Sequence, residues 1–117
     1  MQRLIRATIN SWNGLVAAAR SEAAFRLELV VLAVAVPLAL LVVTELWKRV
    51  ALVAVLLLVV AVELINTAIE KLSDHVTATP HPEIGRIKDM SSAAVGIALA
   101  IAGLTWFAAL GECLGFW

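Results

Sequence analysis

The chain has 117 residues, of which 62% are hydrophobic and 15% charged, and nine basic side chains balance nine acidic ones. That composition excludes disorder and argues against an ordinary water-soluble domain, and the zero net charge argues against a nucleic-acid-binding surface. The length suits one short domain, the lone Cys113 rules out an internal disulfide, and no apolar core with a small-residue cleavage site marks a signal peptide.

Residues 1–20 are expected to form an amphipathic helix. Leu4, Ile5, Ile9, Trp12, Leu15, Val16 and Ala19 fall on one face, and Arg6, Asn10, Asn13, Ala17 and Arg20 on the other. Basic residues opposite Trp and Leu suit a helix lying in a membrane interface, and the same moment suits a helix packed on its own protein. Gly14 marks a place for a slight bend. Ser21 is expected to cap the next helix, with Glu22 in its first turn. Glu22 and Arg26 are four residues apart and share a face, so an interfacial ion pair between them is one expectation. Residues 23–44 are nearly all apolar after Glu28 and long enough to cross a bilayer, with Pro37 expected to kink the span rather than break it.

After a short charged turn containing Trp47 and Arg49, residues 48–73 form the second expected span. From Val50 to Val62 it is purely apolar. Its second half carries Glu63, Asn66 and Glu70, spaced i, i+3, i+7 and therefore stacked on one face. An ionised carboxylate near the bilayer centre costs roughly 2.5–3.5 kcal/mol on insertion scales, so a stripe with two of them reads as functional. The blander reading is that the three polar groups tie helices together by hydrogen bonds. A helix ending at Ser73 puts Glu70 within a turn of water and Glu63 deeper, by roughly 15 Å from that end at 1.5 Å per residue, near the headgroup–acyl boundary.

Residues 74–87 are expected to form the one substantial polar loop, because Pro80 and Pro82 oppose helix continuity. His75 and His81 read as ordinary loop histidines, with no second ligand cluster beside them. Residues 88–111 form the third expected span. It opens on Lys88 and Asp89, and Gly96, Ala100 and Gly103 suggest a ridge of small residues for close helix packing. Cys113 reads as a small apolar filler, and Glu112 and Trp117 close the chain at the opposite interface. Arg3, Arg6, Arg20 and Arg26, with Lys71, Arg86 and Lys88 around the loop, place the N-terminus and loop in the cytoplasm and the C-terminus in the periplasm. Glu22, Glu70, Lys88 and Asp89 then share one membrane face, with Glu63 just below.

Two carboxylates near water suit Mg²⁺ with phosphate oxygens, and a lysine beside them neutralises phosphate charge. A deeper carboxylate suits proton abstraction from a hydroxyl arriving from the lipid side, worth about 10²–10⁴-fold in rate. These parts fit a lipid kinase, although neither GxxxxGK[ST] nor GxGxxG is present. A small proton-coupled transporter also uses a membrane glutamate, but it leaves Lys88 and Asp89 without a role. A purely structural membrane subunit is the third reading.

The stretches EAAFRLE (Glu22 to Glu28), VELINTAIEKLSD (Val62 to Asp74) and GRIKDMSSAAV (Gly85 to Val95) closely resemble the prokaryotic diacylglycerol kinase family. The resemblance extends over essentially the whole chain. It implies an all-α membrane protein with an amphipathic surface helix and three transmembrane helices, forming homotrimers in the bacterial inner membrane with active sites shared between subunits. It implies transfer of the ATP γ-phosphate to 1,2-diacylglycerol, giving phosphatidic acid and ADP. On matching positions, Glu63 is implied as general base, with Asn66 beside it orienting Glu63 or the substrate. Glu22 and Glu70 are implied as Mg²⁺ ligands that also hold the nucleotide. Arg3, Asn10, Thr79, Pro80, His81, Lys88 and Asp89 are implied as further ATP-contacting positions. The lipid is implied to lie along the surface helix at Arg3, Ala7, Ser11 and Trp12, against Ala24, Phe25, Arg26, Leu27 and Glu28, and to meet Glu63, Arg49 and Ser92. Leu41 to Thr44 would line its tails.

Two departures stand out. Asn10 occupies a position where some relatives carry a tyrosine, which removes an aromatic contact for adenine, and Glu83 adds negative charge to the loop. A sister branch of the family phosphorylates undecaprenol, and its members tend to carry an ERN-like sequence where this chain has EAAFR. That favours diacylglycerol as the substrate.

Overall fold

A computed structural model describes all residues from Met1 to Trp117 as four helices without strands. They are α1 (Gln2–Ser21), α2 (Ala23–Val42), α3 (Leu46–Val76) and α4 (Pro82–Cys113). The last three are long and apolar enough to cross a membrane. Only 12 of the 117 residues are buried, although 62% are hydrophobic, so most apolar surface faces outward, as lipid solvation requires.

The single residue Glu22 separates α1 from α2. Its backbone is extended, with φ −120° and ψ 112°, and it serves as C-cap of one helix and N-cap of the next. Ser21 therefore caps nothing; it completes α1, and its Oγ donates to the Ala17 carbonyl at 3.0 Å. Arg26 does not pair with Glu22. Its Nη1 donates to the carbonyls of Ala19 at 2.8 Å and Arg20 at 3.1 Å, satisfying the frayed end of α1 with a cation. Arg49 repeats the device at the next corner, donating to Val43 O at 2.5 Å and Leu40 O at 2.8 Å. α1 runs through Gly14 without interruption, and Met1 to Leu15 are all exposed. Its apolar face, Trp12 included, is not covered by the rest of the chain, which favours the interfacial reading over self-packing.

α2 is continuous across Pro37. The largest departure from expectation is the polar segment 74–87, of which only Thr77 to His81 are non-helical. α3 runs on to Val76, and α4 starts at Pro82 rather than after the loop. Pro82 occupies the first helical turn, where its missing N–H costs nothing. His81 Nδ1 accepts from the Glu83 backbone N–H at 3.2 Å, and Glu83 lies in the first turn, where negative charge is favourable. The prolines thus bound a helix here rather than open a long loop.

α3 and α4 form the main packed pair, and α2 leans on α3. One cluster joins Ala39, Val43 and Leu52, with Trp106 and Ala109 against it, and a second joins Val59, Ala98 and Ala102. Trp106 Nε1 donates to the Leu52 carbonyl at 3.2 Å. The face of α4 turned to α3 is marked by Ser91, Ala98 and Ala102, whereas Gly96, Ala100 and Gly103 point outward. The expected ridge therefore lies on the wrong side of the helix for packing within one chain. Cys113 is exposed, and its Sγ donates to the Val42 carbonyl at 3.1 Å, so it fastens two helix ends rather than filling a core.

The 31 residues of α3 span about 46 Å, against about 30 Å of hydrocarbon. A layer counted from Val50 ends near Ile69, about 20 residues on. The 20 residues of α2 cover the same depth, which brings Glu22 level with Glu70.

Candidate active site

The polar stripe of α3 meets the start of α2 and the first turns of α4. Asn66 is buried, and Glu63 and Glu70 flank it one turn away on either side. Asn66 Nδ2 donates to Glu70 Oε1 at 3.3 Å, and its Oδ1 accepts from Ser91 Oγ at 2.7 Å. The amide therefore serves Glu70 and α4, not Glu63 as the resemblance allowed. Glu63 makes no hydrogen bond or ion pair, and it lies close enough to Glu22 and Glu70 for their charges to repel its own. Glu28, one α2 turn inward from Ala24, faces Glu63 closely enough for the same repulsion. Its Oε2 is buried without a hydrogen-bond partner.

Cations are few and already engaged. Lys71 Nζ lies 3.4 Å from Glu22 Oε1 and donates to Ser21 Oγ at 2.7 Å. Lys88 Nζ reaches back across the α3–α4 corner to Asp74 Oδ1 at 2.5 Å. Asp89 is exposed beside it. Lys71, Asp74 and Ser91 are thus part of the constellation without having been singled out as site residues. The first two could have been read from the same stripe, since Lys71 and Asp74 continue the polar run after Glu70.

Four carboxylates, Glu22, Glu28, Glu63 and Glu70, and one paired lysine leave the cluster with excess negative charge. Within one chain no three His, Cys, Asp or Glu side chains converge as a closed metal cage. Two open hard-oxygen donors, Glu22 and Glu70, are the donor set that suits Mg²⁺ when phosphate oxygens and water complete an octahedron.

A model of the prokaryotic diacylglycerol kinase family matches residues 9–110. The chain belongs to that family. It is 44% identical over 104 residues to the diacylglycerol kinase of Escherichia coli, covering 89% of this chain and 85% of that protein. It is 41% identical to the Pseudomonas aeruginosa diacylglycerol kinase, over 91% of this chain and 86% of the relative. The Haemophilus influenzae diacylglycerol kinase is 36% identical, over 91% and 90%.

In this member of the family the remaining expected positions are dispersed over the fold. Arg3, Ala7 and Asn10 lie together with Arg6 on one exposed face of α1. Ser11, whose Oγ donates to Ala7 O at 2.9 Å, borders a groove of about 500 Å³ between α1 and α3, with Leu64, Thr67 and Lys71 on the far wall. Trp12 projects outward beside it. Leu27 and Glu28 line an apolar groove of about 200 Å³ with Leu56, Val60 and Leu99. Ala24, Ser92 and Leu41 are exposed, whereas Phe25, 2% exposed, is a core side chain. Arg26 and Arg49 are committed to helix ends, as described. Thr79, Pro80 and His81 occupy the short corner, where Thr77 Oγ1 lies 3.0 Å from Thr79 Oγ1. The fold does not carry Arg3 or Asn10 onto the Glu63–Glu70 stripe of the same chain, because the first ten residues of α1 are exposed and the α1–α3 groove begins only at Ser11.

Proposed function

We propose that this protein is an ATP-dependent diacylglycerol kinase that transfers the γ-phosphoryl group to the free hydroxyl of 1,2-diacylglycerol. The observation that carries the reading is the position of Glu63. It is a carboxylate without a protein partner, next to the apolar layer and flanked by two further carboxylates nearer water. The lipid hydroxyl oxygen attacks the γ-phosphorus in line, the bond from that phosphorus to the β–γ bridging oxygen breaks, and ADP departs. Glu63 takes the hydroxyl proton.

Glu22 and Glu70 would hold Mg²⁺, which offsets the charge of the triphosphate. Asn66 fixes Glu70 from below, and Lys88, released from Asp74, meets phosphate oxygens. Asp89, Thr79, Pro80 and His81 would border the nucleotide, and the α1–α3 groove with the exposed face of Ala7 to Trp12 would take the lipid. Glu28, with its free oxygen, faces the same pool of substrate. Arg3 and Asn10 would reach the nucleotide of a neighbouring copy, which supports a homotrimer with shared sites. The basic residues of α1 and of the α3–α4 corner support a cytoplasmic active site in the inner membrane, with a periplasmic C-terminus.

The deciding assay measures phosphate transfer from Mg-ATP in mixed micelles that offer diacylglycerol and undecaprenol side by side. Transfer to diacylglycerol, lost in Glu63→Gln, is the expected result. Preference for undecaprenol would keep the chemistry and change the substrate, and transfer to neither lipid by well-folded protein would overturn the reading.

A further inference from the structure

Ser91 lies buried on the face of α4 turned to α3, with two acceptors in reach of one hydroxyl. Asn66 Oδ1 is 2.7 Å away and the Lys88 carbonyl 3.0 Å. A hydroxyl has a single proton to donate. An ionised Glu70 only accepts, so the Asn66 amide must present its NH₂ group to that carboxylate, at 3.3 Å. Its Oδ1 then faces α4 in a buried setting and needs a donor, and Ser91 is the one group there that supplies it. Without that proton the Asn66 oxygen is buried and unpaired, and the amide is held only by its 3.3 Å bond to Glu70.

We propose that Ser91 is a positioning residue for the Glu70 carboxylate, acting through Asn66. Its proton pairs the buried Asn66 oxygen and so holds the amide in the orientation that donates to Glu70. The Lys88 carbonyl competes for the same proton from 3.0 Å, farther than Asn66 Oδ1 at 2.7 Å. The relay links α4 to the carboxylate that would hold the metal–nucleotide, and in that respect it rests on the kinase reading above.

The test compares full-length Ser91→Ala and Ser91→Thr, and places Ser91→Ala in an Asn66→Ala background. Ser91→Ala is expected to raise the KM for Mg-ATP about fivefold, the effect of one lost hydrogen bond, with the lipid KM unchanged. Ser91→Thr, which keeps the hydroxyl, restores it, and the Asn66→Ala background shows no further loss. A second readout needs no turnover. The chain has three asparagines, so ¹⁵N-asparagine labelling gives few side-chain amide signals, and Asn66→Ala identifies the relevant pair. Those signals are expected to move toward the positions of exposed Asn10 and Asn13 in Ser91→Ala and to stay in Ser91→Thr. Unmoved amide signals, an equal rise in both KM values, or additive loss in the double variant would overturn the relay. Amide signals that respond in a protein unable to phosphorylate diacylglycerol would uphold the relay and overturn the kinase reading instead.

Discussion

The two ends of the helical bundle treat charge in opposite ways. At the α2–α3 corner, Lys48 Nζ lies 2.8 Å from Glu45 and bonds Glu112 at the end of α4. Trp47 Nε1 donates to Glu45 at 3.1 Å, and Arg49 closes the last carbonyls of α2. Every charged group there has a partner. At the other end, Glu22, Glu28, Glu63 and Glu70 gather around a single directly paired lysine, Lys71, while Lys88 is drawn off to Asp74. Opposite charges that satisfy one another leave nothing for a ligand. An acidic surplus beside the apolar layer is unfavourable unless a cation or a proton arrives, and this is the end to which the proposed function assigns the chemistry.

The largest difference between the two ends is expected at Glu63. Glu63→Gln keeps size and polarity but removes the proton acceptor, and turnover is expected to fall by at least about 10²-fold with Mg-ATP affinity spared. Micelle phosphate transfer and equilibrium nucleotide binding measure the two separately. Glu112→Gln, the matched change at the other end, is expected to leave transfer within about twofold of the parent. Equal damage from both would erase the distinction between the ends. Glu70→Gln comes next. It removes a proposed metal donor and weakens the acceptor for Asn66, so the Mg²⁺ concentration required for half-maximal rate is expected to rise by roughly 10–100-fold, together with a loss of rate.

A smaller effect is expected from Arg26→Gln. The guanidinium holds the carbonyls of Ala19 and Arg20 and so sets how α1 leaves the bundle. Losing it should raise the KM for diacylglycerol by roughly three- to tenfold without moving the KM for Mg-ATP, because α1 would line the lipid groove. A change confined to the nucleotide would mean that Arg26 acts on the site rather than on the helix.

Which parts were legible in the sequence follows from which signals survive in an apolar chain. The surface helix and three long apolar helices were readable because amphipathicity and run length are the strongest periodic signals, and the Glu63–Asn66–Glu70 stripe because polar residues are conspicuous in such a run. The packing face of α4 was not. A helix apolar all round carries no moment to say which side meets its neighbour, and Gly96, Ala100 and Gly103 form a ridge as regular as the one that packs. The corner reads as a long loop because a proline signals a breaker, whereas Pro82 sits where a helix tolerates it best. The partner of Asn66 depended on α4 register, so neither Ser91 nor the preference for Glu70 over Glu63 was accessible from α3 alone. The commitments of Arg26 and Arg49 to helix ends depended on the angles between helices, which no spacing encodes.

The smallest expected effect sharpens the comparison from the quiet end. The hydrogen bond from Lys48 holds Glu45 below the usual carboxylate range, with Trp47 adding to it. A carboxyl group depressed in the folded state contributes stability that is fully present above its unfolded value near 4.5 and is lost as pH falls through the lower folded value. Thermal unfolding in detergent should therefore show a pH-dependent component below 4.5 that Glu45→Gln removes, while phosphate transfer at neutral pH stays within about twofold. The effect is small because the group is exposed and screened. Its value lies in what it separates: at this end pH is expected to act on stability without touching phosphate transfer, whereas the proposed chemistry sits at the carboxylate end. A neutral-pH loss of transfer in Glu45→Gln would show that the α2–α3 corner is coupled to the active end through the bundle, and that the two ends are one device.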